Sequence, residues 1–349
     1  MLRPISRLLI GLLILVLGAA SAHADLVWTP GQGWRVEGGV LTGVTGEEGR
    51  NAVELMNTAR NAEEAGEAKK AIKNYDRVAK RYPNSIYAAE ALYRTGLLYE
   101  KRRQYYKAFD SLQEIVQKYP NNPKFAQVIA DQYRIANTLM EGKRAYMWGV
   151  IPGFKNREKA IEYFERIVAN APFSDYAPLS LMNIARGHQR MDANEEAIDA
   201  LDRMINSYPR NVLTPDAYLK LAETHASLVD GPAYDQASTK AAITYYEDYL
   251  IQFPGDSGAG NAEQGLAGMK TMLAESKMIL ADYYYKYRRN YKAARVFYNE
   301  AITTFPDSPV AERARTMLAD VDARLAGETP ANAPAIEQAP KKKKRFWFF

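Results

Sequence analysis

Beyond the first 24 residues the chain carries two histidines, His188 and His225, whose ordinary pKa suits proton transfer near neutral pH. Each follows a small residue, Ala185 or Ala222, by three positions, and equivalent segments carry Tyr99 and Tyr285 there. A position shared with tyrosine is a half-buried packing position, so both read as packing residues rather than metal ligands or bases. Gly255-Asp256-Ser257-Gly258 matches the nucleophile motif of chymotrypsin-like proteases, but it follows a helix-ending proline, lacks a β-barrel pattern around it and has no suitable histidine. It reads as a turn. The Gly-rich run 255–268 has no Lys-Ser/Thr and follows no strand, so it is no phosphate loop. The carboxylate pairs Glu63-Glu64 and Glu195-Glu196 fall at exposed helix ends, where acidic residues are ordinary. No catalytic set, cofactor site or metal site emerges, and the reading is of a non-enzyme.

The elements that place these residues follow a fixed template. An alanine is followed four residues later by a large apolar residue, and eight residues after that by a proline. The six instances are Ala71, Tyr75, Pro83; Ala108, Leu112, Pro120; Ala160, Phe164, Pro172; Ala197, Leu201, Pro209; Ala242, Tyr246, Pro254; and Ala294, Tyr298, Pro306. The first two lie on one helix face; the proline ends that helix. A second small residue stands twelve positions upstream in three of the repeats, at Ala59, Gly96 and Ala185. Capping residues follow the prolines: Asn84-Ser85, Asn122-Pro123, Ser174-Asp175, Thr214-Pro215 and Ser308-Pro309. Each unit reads as helix A, short turn, helix B, proline turn. This is the tetratricopeptide pattern, clearest in Leu92, Gly96, Tyr99, Ala108, Leu112, Ile115, Pro120. The expected fold is an all-α, right-handed tetratricopeptide-repeat solenoid of about six helical hairpins plus a C-terminal capping helix from Pro309 to Leu325.

The expected domains are a signal peptide, 1–24; a Gly- and Trp-containing arm, 25–50; the solenoid, 51–325; and a linker with a basic, aromatic tail, 326–349. Arg3 and Arg7, the apolar run Leu8 to Ala20 and the Ala22-His23-Ala24 site carry the signal reading. Composition favours a loosely ordered leader for 25–50, with Trp28, Trp34, Val36 and Val40 leaving open an extended arm that pairs with something. Net charge is +5 with no cysteine. Without Arg3, Arg7 and the five tail cations the remainder is slightly acidic, which does not suit nucleic acid. The absent cysteine excludes the lipidation that Leu17-Gly18-Ala19-Ala20-Ser21 otherwise suggests.

Insertions break the template in repeats three, five and six. The repeat-three insertion, Gly142 to Phe154, is apolar and aromatic and is flanked by Lys143, Arg144, Lys155 and Arg157. It either tucks onto its own repeat or docks a partner through Tyr146, Trp148 and Phe154. The tail joins Lys341, Lys342, Lys343, Lys344 and Arg345 to Phe346, Trp347, Phe348 and Phe349, a composition suited to an anionic membrane surface.

The stretch Tyr82 to Tyr93, the repeat number and the insertion inside repeat three make the chain resemble the BamD-like outer-membrane assembly lipoproteins over about residues 52–325. The resemblance implies a periplasmic scaffold at the inner face of the outer membrane. Its partners would be the periplasmic domains of the β-barrel insertase and unfolded barrel substrates, with no nucleic acid. The missing cysteine and the tail depart from that family. A periplasmic adaptor of a cell-division or Tol–Pal type complex is the alternative. In this fold A helices line the concave face, which nominates Met56, Arg60, Tyr93, Leu97, Tyr133, Asn137, Met182 and Arg186 for partner binding.

Overall fold

The computed structural model describes residues 25–37 and 47–327. The expected signal peptide and the tail Lys341–Phe349 lie outside them. An antiparallel hairpin, β1 (Asp25–Thr29) and β2 (Gly33–Glu37), precedes thirteen helices. They are α1 (Glu47–Glu64), α2 (Ala68–Arg81), α3 (Ile86–Lys101), α4 (Tyr105–Lys118), α5 (Phe125–Met140), α6 (Arg157–Asn170), α7 (Tyr176–Gln189), α8 (Asn194–Ser207), α9 (Thr214–Ser227), α10 (Gln236–Gln252), α11 (Ala259–Asp282), α12 (Tyr291–Thr304) and α13 (Pro309–Leu325). A two-residue-per-strand hairpin, β3 (Tyr146–Met147) and β4 (Ile151–Pro152), interrupts the pair α5–α6. The pairs α1–α2 through α11–α12 are the six hairpins of the template. The first helix starts four residues earlier than the sequence pattern places the repeats. None of the described helices is long and apolar enough to cross a membrane.

The proline turns are copies of one another. The residue before each proline is Tyr82, Tyr119, Ala171, Tyr208, Phe253 or Phe305. Its φ lies between −149° and −128° and its ψ between 53° and 82°. Proline excludes the α conformation from its predecessor, which is why the helix stops at the same step each time. The turns between helices A and B share a different device, a residue in the left-handed region: Gly66, Arg103, Gly142, Asp192, Asp235 and Arg289. Ser85 and Ser308 accept the expected cap bonds, from the amides of Tyr87 and Ala311. Asn122 and Thr214 do not cap helices. Asn122 closes a turn onto the Lys124 amide, and the Thr214 hydroxyl donates to the Tyr208 carbonyl.

The chain divides into two compact units, residues 1–180 and 181–349, with the boundary inside α7. In the first unit the core joins Met56, Ala59, Ala71, Tyr75, Val78, Tyr87 and Leu98. Phe109 of α4 stacks on Tyr163 of α6 with centroids 3.6 Å apart and an interplanar angle of 3°. The β1–β2 hairpin belongs to this core: Trp34 is buried and its backbone amide donates to Asn57 Oδ1 at 2.8 Å. Residues 25–37 are therefore not a loose leader. Two tryptophans and a Gly33 close to the Asn57 side chain hold them on α1. In the second unit the core falls into a cluster around Tyr246 and Tyr249 and another around Tyr285, Tyr298 and Val321. α11 passes directly into a π-helical turn, Tyr283–Arg288.

Small residues set how closely helices pack. The six template alanines are fully buried. A Cβ on Gly96 would lie 3.1 Å from Leu112 Cδ2. A Cβ on Gly265 of α11 would fall 2.4 Å from Cζ of the buried Tyr246 ring, whereas one on the exposed Gly268 would meet nothing. Gly265→Ala is expected to lower stability by about 1–3 kcal/mol through overpacking. Gly268→Ala in the same helix is expected to raise it by about 1 kcal/mol through helix propensity. Urea unfolding followed by circular dichroism checks both, and equal shifts for the two variants would contradict the packing account.

Candidate partner-binding faces

In the first unit the exposed edges of α1, α3 and α5 carry a connected polar network. Arg60 pairs with Glu63 at 3.1 Å and Glu64 at 3.3 Å while its guanidinium lies 4.3 Å from the Trp28 ring centre. Glu63 also accepts the Tyr75 hydroxyl at 2.8 Å, which joins the surface pair to the core. Arg94 sits beside Trp34 and binds Glu90 at 2.9 Å; Lys124 reaches the other oxygen of Glu90 at 2.6 Å. Buried Asp131 accepts from Tyr93 at 3.0 Å, Gln127 at 3.2 Å and Arg134 at 2.6 Å. Arg134 then closes a two-bond fork on Glu100. Burial, with the Asp131 charge adding to it, pushes the Tyr93 phenol up to about 12. Tyr93 thus stays a hydrogen-bond donor across the physiological range.

Beside this network lies a pocket of about 440 Å³ lined by Leu26, Ile86, Ala89, Glu90, Tyr119 and Lys124, among others. Its floor is helical and apolar, its rim carries opposite charges, and Ile86 is exposed within it. The shape suits a short peptide segment with an apolar side chain.

The structure distributes the nominated residues unevenly. Met56 is fully buried in the core and cannot line a face, because its one-turn offset from Ala52 and Ala59 turns it toward α2. Arg60 and Tyr93 stand on the face but are engaged in the network above. Leu97 is half-buried, and Tyr133 packs 5.5 Å from Phe164 and 5.2 Å from Tyr176. The Asn137 amide donates to Glu141 at 3.2 Å. In the second unit Met182 is half-buried, and the exposed Arg186 donates to Asn183. Sequence reasoning missed Glu90, Lys124, Asp131 and Glu100. The Glu90–Arg94 spacing was legible, but Lys124–Glu90 and Arg134–Glu100 each bridge 34 residues. It also missed Ile279, Tyr283 and Tyr287, exposed at four-residue intervals along α11 and its π turn; the tyrosine run was the available signal.

The repeat-three insertion is an ordered hairpin. Met147 to Val150 forms a tight turn closed by the Val150 amide on the Met147 carbonyl at 3.1 Å, with Trp148 and Gly149 both at positive φ, 51° and 78°. The α3–α4 turn grips it. The Tyr146 amide donates to the Arg103 carbonyl at 2.7 Å, Arg103 donates to the Tyr146 hydroxyl at 3.2 Å, and Arg102 donates to the Trp148 carbonyl at 2.9 Å. Met147, Trp148, Val150, Ile151 and Phe154 remain exposed, Trp148 at 68% and Phe154 at 93%.

Asp256, His188 and His225 occupy turn and packing positions. Asp256 accepts from the Tyr249 hydroxyl and the Gly258 amide, which hold its carboxyl below the usual range. His188 and His225 are half-buried, and His225 stacks on Tyr245 at 5.5 Å. Among the described residues no group of three or more His, Cys, Asp or Glu could hold a metal ion.

Comparisons with known proteins point to one family. A model described as "Outer membrane lipoprotein" (YfiO) matches residues 154–333, and a tetratricopeptide-repeat model matches 55–85 and 90–122. The curated relative "Outer membrane protein assembly factor BamD" of Caulobacter vibrioides is 25% identical over 131 residues, 38% of this chain and 43% of the relative. The protein of the same name from Rickettsia prowazekii is 26% identical over 151 residues, 43% of this chain and 60% of the relative. The chain thus spans about half the length of the curated relatives it matches. Among solved structures, a tetratricopeptide repeat protein from Parabacteroides merdae aligns at a TM-score of 0.31 and 11% identity, covering 78% of this chain and 100% of that one.

Two outcomes are expected. Asp131→Asn removes a buried acceptor charge from three donors and is expected to cost about 1–3 kcal/mol in urea unfolding; an unchanged midpoint would show the network to be dispensable. Burial lowers the His225 pKa from its ordinary 6.5, more than Asp202 and Asp235 raise it. The unfolded chain then binds the proton more readily, so His225's contribution is fully present above pH 6.5 and lost as pH falls through the lower folded value. Thermal melts across that window are expected to fall more steeply toward acid for the parent than for His225→Phe.

Proposed function

The chain belongs to the outer membrane lipoprotein family, and from that premise we propose that it is a non-catalytic scaffold in outer-membrane β-barrel assembly. The observation that carries the reading is the family match over residues 154–333. The named relatives, outer membrane protein assembly factors, support it. The proposed location is the periplasm at the inner face of the outer membrane. The proposed partners are the periplasmic domains of the barrel insertase and unfolded barrel substrates.

Physical features support a binding role. The pocket beside α3 offers apolar floor and paired charges, which suit one anchoring side chain and a few directed hydrogen bonds. Arg60 and Tyr93 act within this reading by holding the face rigid, so that little order has to be imposed on binding. Leu97, Tyr133 and Asn137 flank the same helices, while Met182 and Arg186 offer a separate contact in the second unit. The cations Lys341–Arg345 and the aromatics Phe346–Phe349 are proposed as a membrane contact.

Affinity capture from detergent-solubilised envelope tests the function. The expected result is recovery of the barrel insertase. Recovery of peptidoglycan-associated proteins without it would replace the reading with an adaptor of the Tol–Pal type. Ile86→Glu places a charge in the pocket and is expected to weaken insertase recovery about tenfold. Val212→Glu, at an exposed site in the second unit, is expected to leave it unchanged.

A further inference from the structure

We propose that the β3–β4 hairpin is a membrane-insertion element that dips its apolar apex into an anionic phospholipid surface. This goes beyond the scaffold reading and does not depend on which proteins the chain assembles.

Three observations point the same way. The apex side chains Met147, Trp148, Val150 and Ile151 are exposed, with Phe154 behind them almost wholly in water. They occupy the tip and both strands rather than a single face. Such an arrangement suits a fluid medium that surrounds a wedge better than a rigid pocket that meets one side.

The second observation is charge. A cavity of about 540 Å³ at the base of the hairpin is lined by Arg103, Tyr105, Lys143, Arg144, Tyr146 and Pro152, three of them cations. Lys155 lies across Gly142 at the same base. Neither Lys143, Arg144 nor Lys155 is paired with a carboxylate among the described residues; Glu141 and Glu158 are the acidic residues of the segment. Apolar apex and cationic base therefore stand at two levels, as acyl chains and phosphates do in a bilayer. Trp148 and Tyr146 are the residue types that favour the boundary between those levels.

The third observation is the backbone. Trp148 is held at a φ of 51°, a conformation a bulky residue rarely adopts, and yet its ring stays in solvent. Glycine or asparagine would make the same turn with less strain. Arg102 satisfies the Trp148 carbonyl, and the Val150 and Gly153 amides donate to the Met147 and Ala145 carbonyls. Polar backbone groups satisfied within the protein lower the cost of leaving water.

The absence of cysteine makes the test direct. Val150→Cys in the full chain carries an environment-sensitive fluorophore, and Val212→Cys carries the same label as a control. With phosphatidylcholine vesicles containing phosphatidylglycerol, the label at 150 is expected to shift to the blue and the label at 212 is not. Binding read at 150 is expected to be about tenfold or more tighter than with phosphatidylcholine alone and to fall with salt. Adding Lys143→Glu and Arg144→Glu is expected to remove the shift. Trp148→Gly is expected to weaken binding while leaving the melting temperature unchanged or higher, which a purely structural role for Trp148 would not produce. No shift at 150 with anionic vesicles would overturn the proposal. So would emission already shifted before vesicles are added, which would assign the apex to the chain's own tail or to a second copy.

Discussion

Two helices approach only as closely as the side chains between them permit. In each hairpin the template alanine of helix B is fully buried, and in the second hairpin Gly96 of helix A faces Leu112, the large residue of the template. That spacing fixes where every other side chain of the hairpin points. Leu112 has room because residue 96 is glycine; Tyr246 has room because residue 265 is glycine. The first contact lies within a hairpin and the second between neighbouring hairpins, so one rule governs both the folding of a unit and its stacking on the next. The proline turn adds direction. Its backbone conformation repeats six times with little variation, which stops each helix B at the same step of the template.

Close packing on one side leaves the polar side to be organised by charge. Asp131 is buried and would be costly alone; Tyr93, Gln127 and Arg134 remove that cost with three donors. Arg60 and Arg94 lie against tryptophans of the N-terminal strands, which ties a short hairpin to two helices, α1 and α3. The result is a face whose charges are spent on one another.

The fold was legible because its determinants are local: the alanine, the large residue and the proline fall within twelve positions of one another. The faces were less legible. Met56 has the composition of a contact residue, and only its phase relative to Ala52 and Ala59 places it in the core. Residues 25–37 look loose because glycines and few apolar residues surround Trp28 and Trp34. What orders them is a bond from Trp34 to Asn57, 23 residues away, which no window of sequence contains. The insertion of repeat three was legible as unusual from its composition. Its hairpin geometry depends on Arg102 and Arg103, which belong to the preceding repeat.

The π-helical turn at Tyr283–Arg288 has a further meaning. A π turn accommodates one residue more than the α-helical turn it replaces, and so marks where a helix has absorbed a single-residue insertion without breaking. The helix axis continues across it while the side-chain phase advances by one position. In this chain that shift brings Tyr285 onto Asp320 of the last helix and leaves Tyr283 and Tyr287 outside. The terminal repeat therefore keeps Tyr285 in its core while presenting Tyr283 and Tyr287 to solvent. A solenoid that cannot tolerate a slip in its alanine template can still vary its surface, provided the extra residue is taken up as a change of pitch.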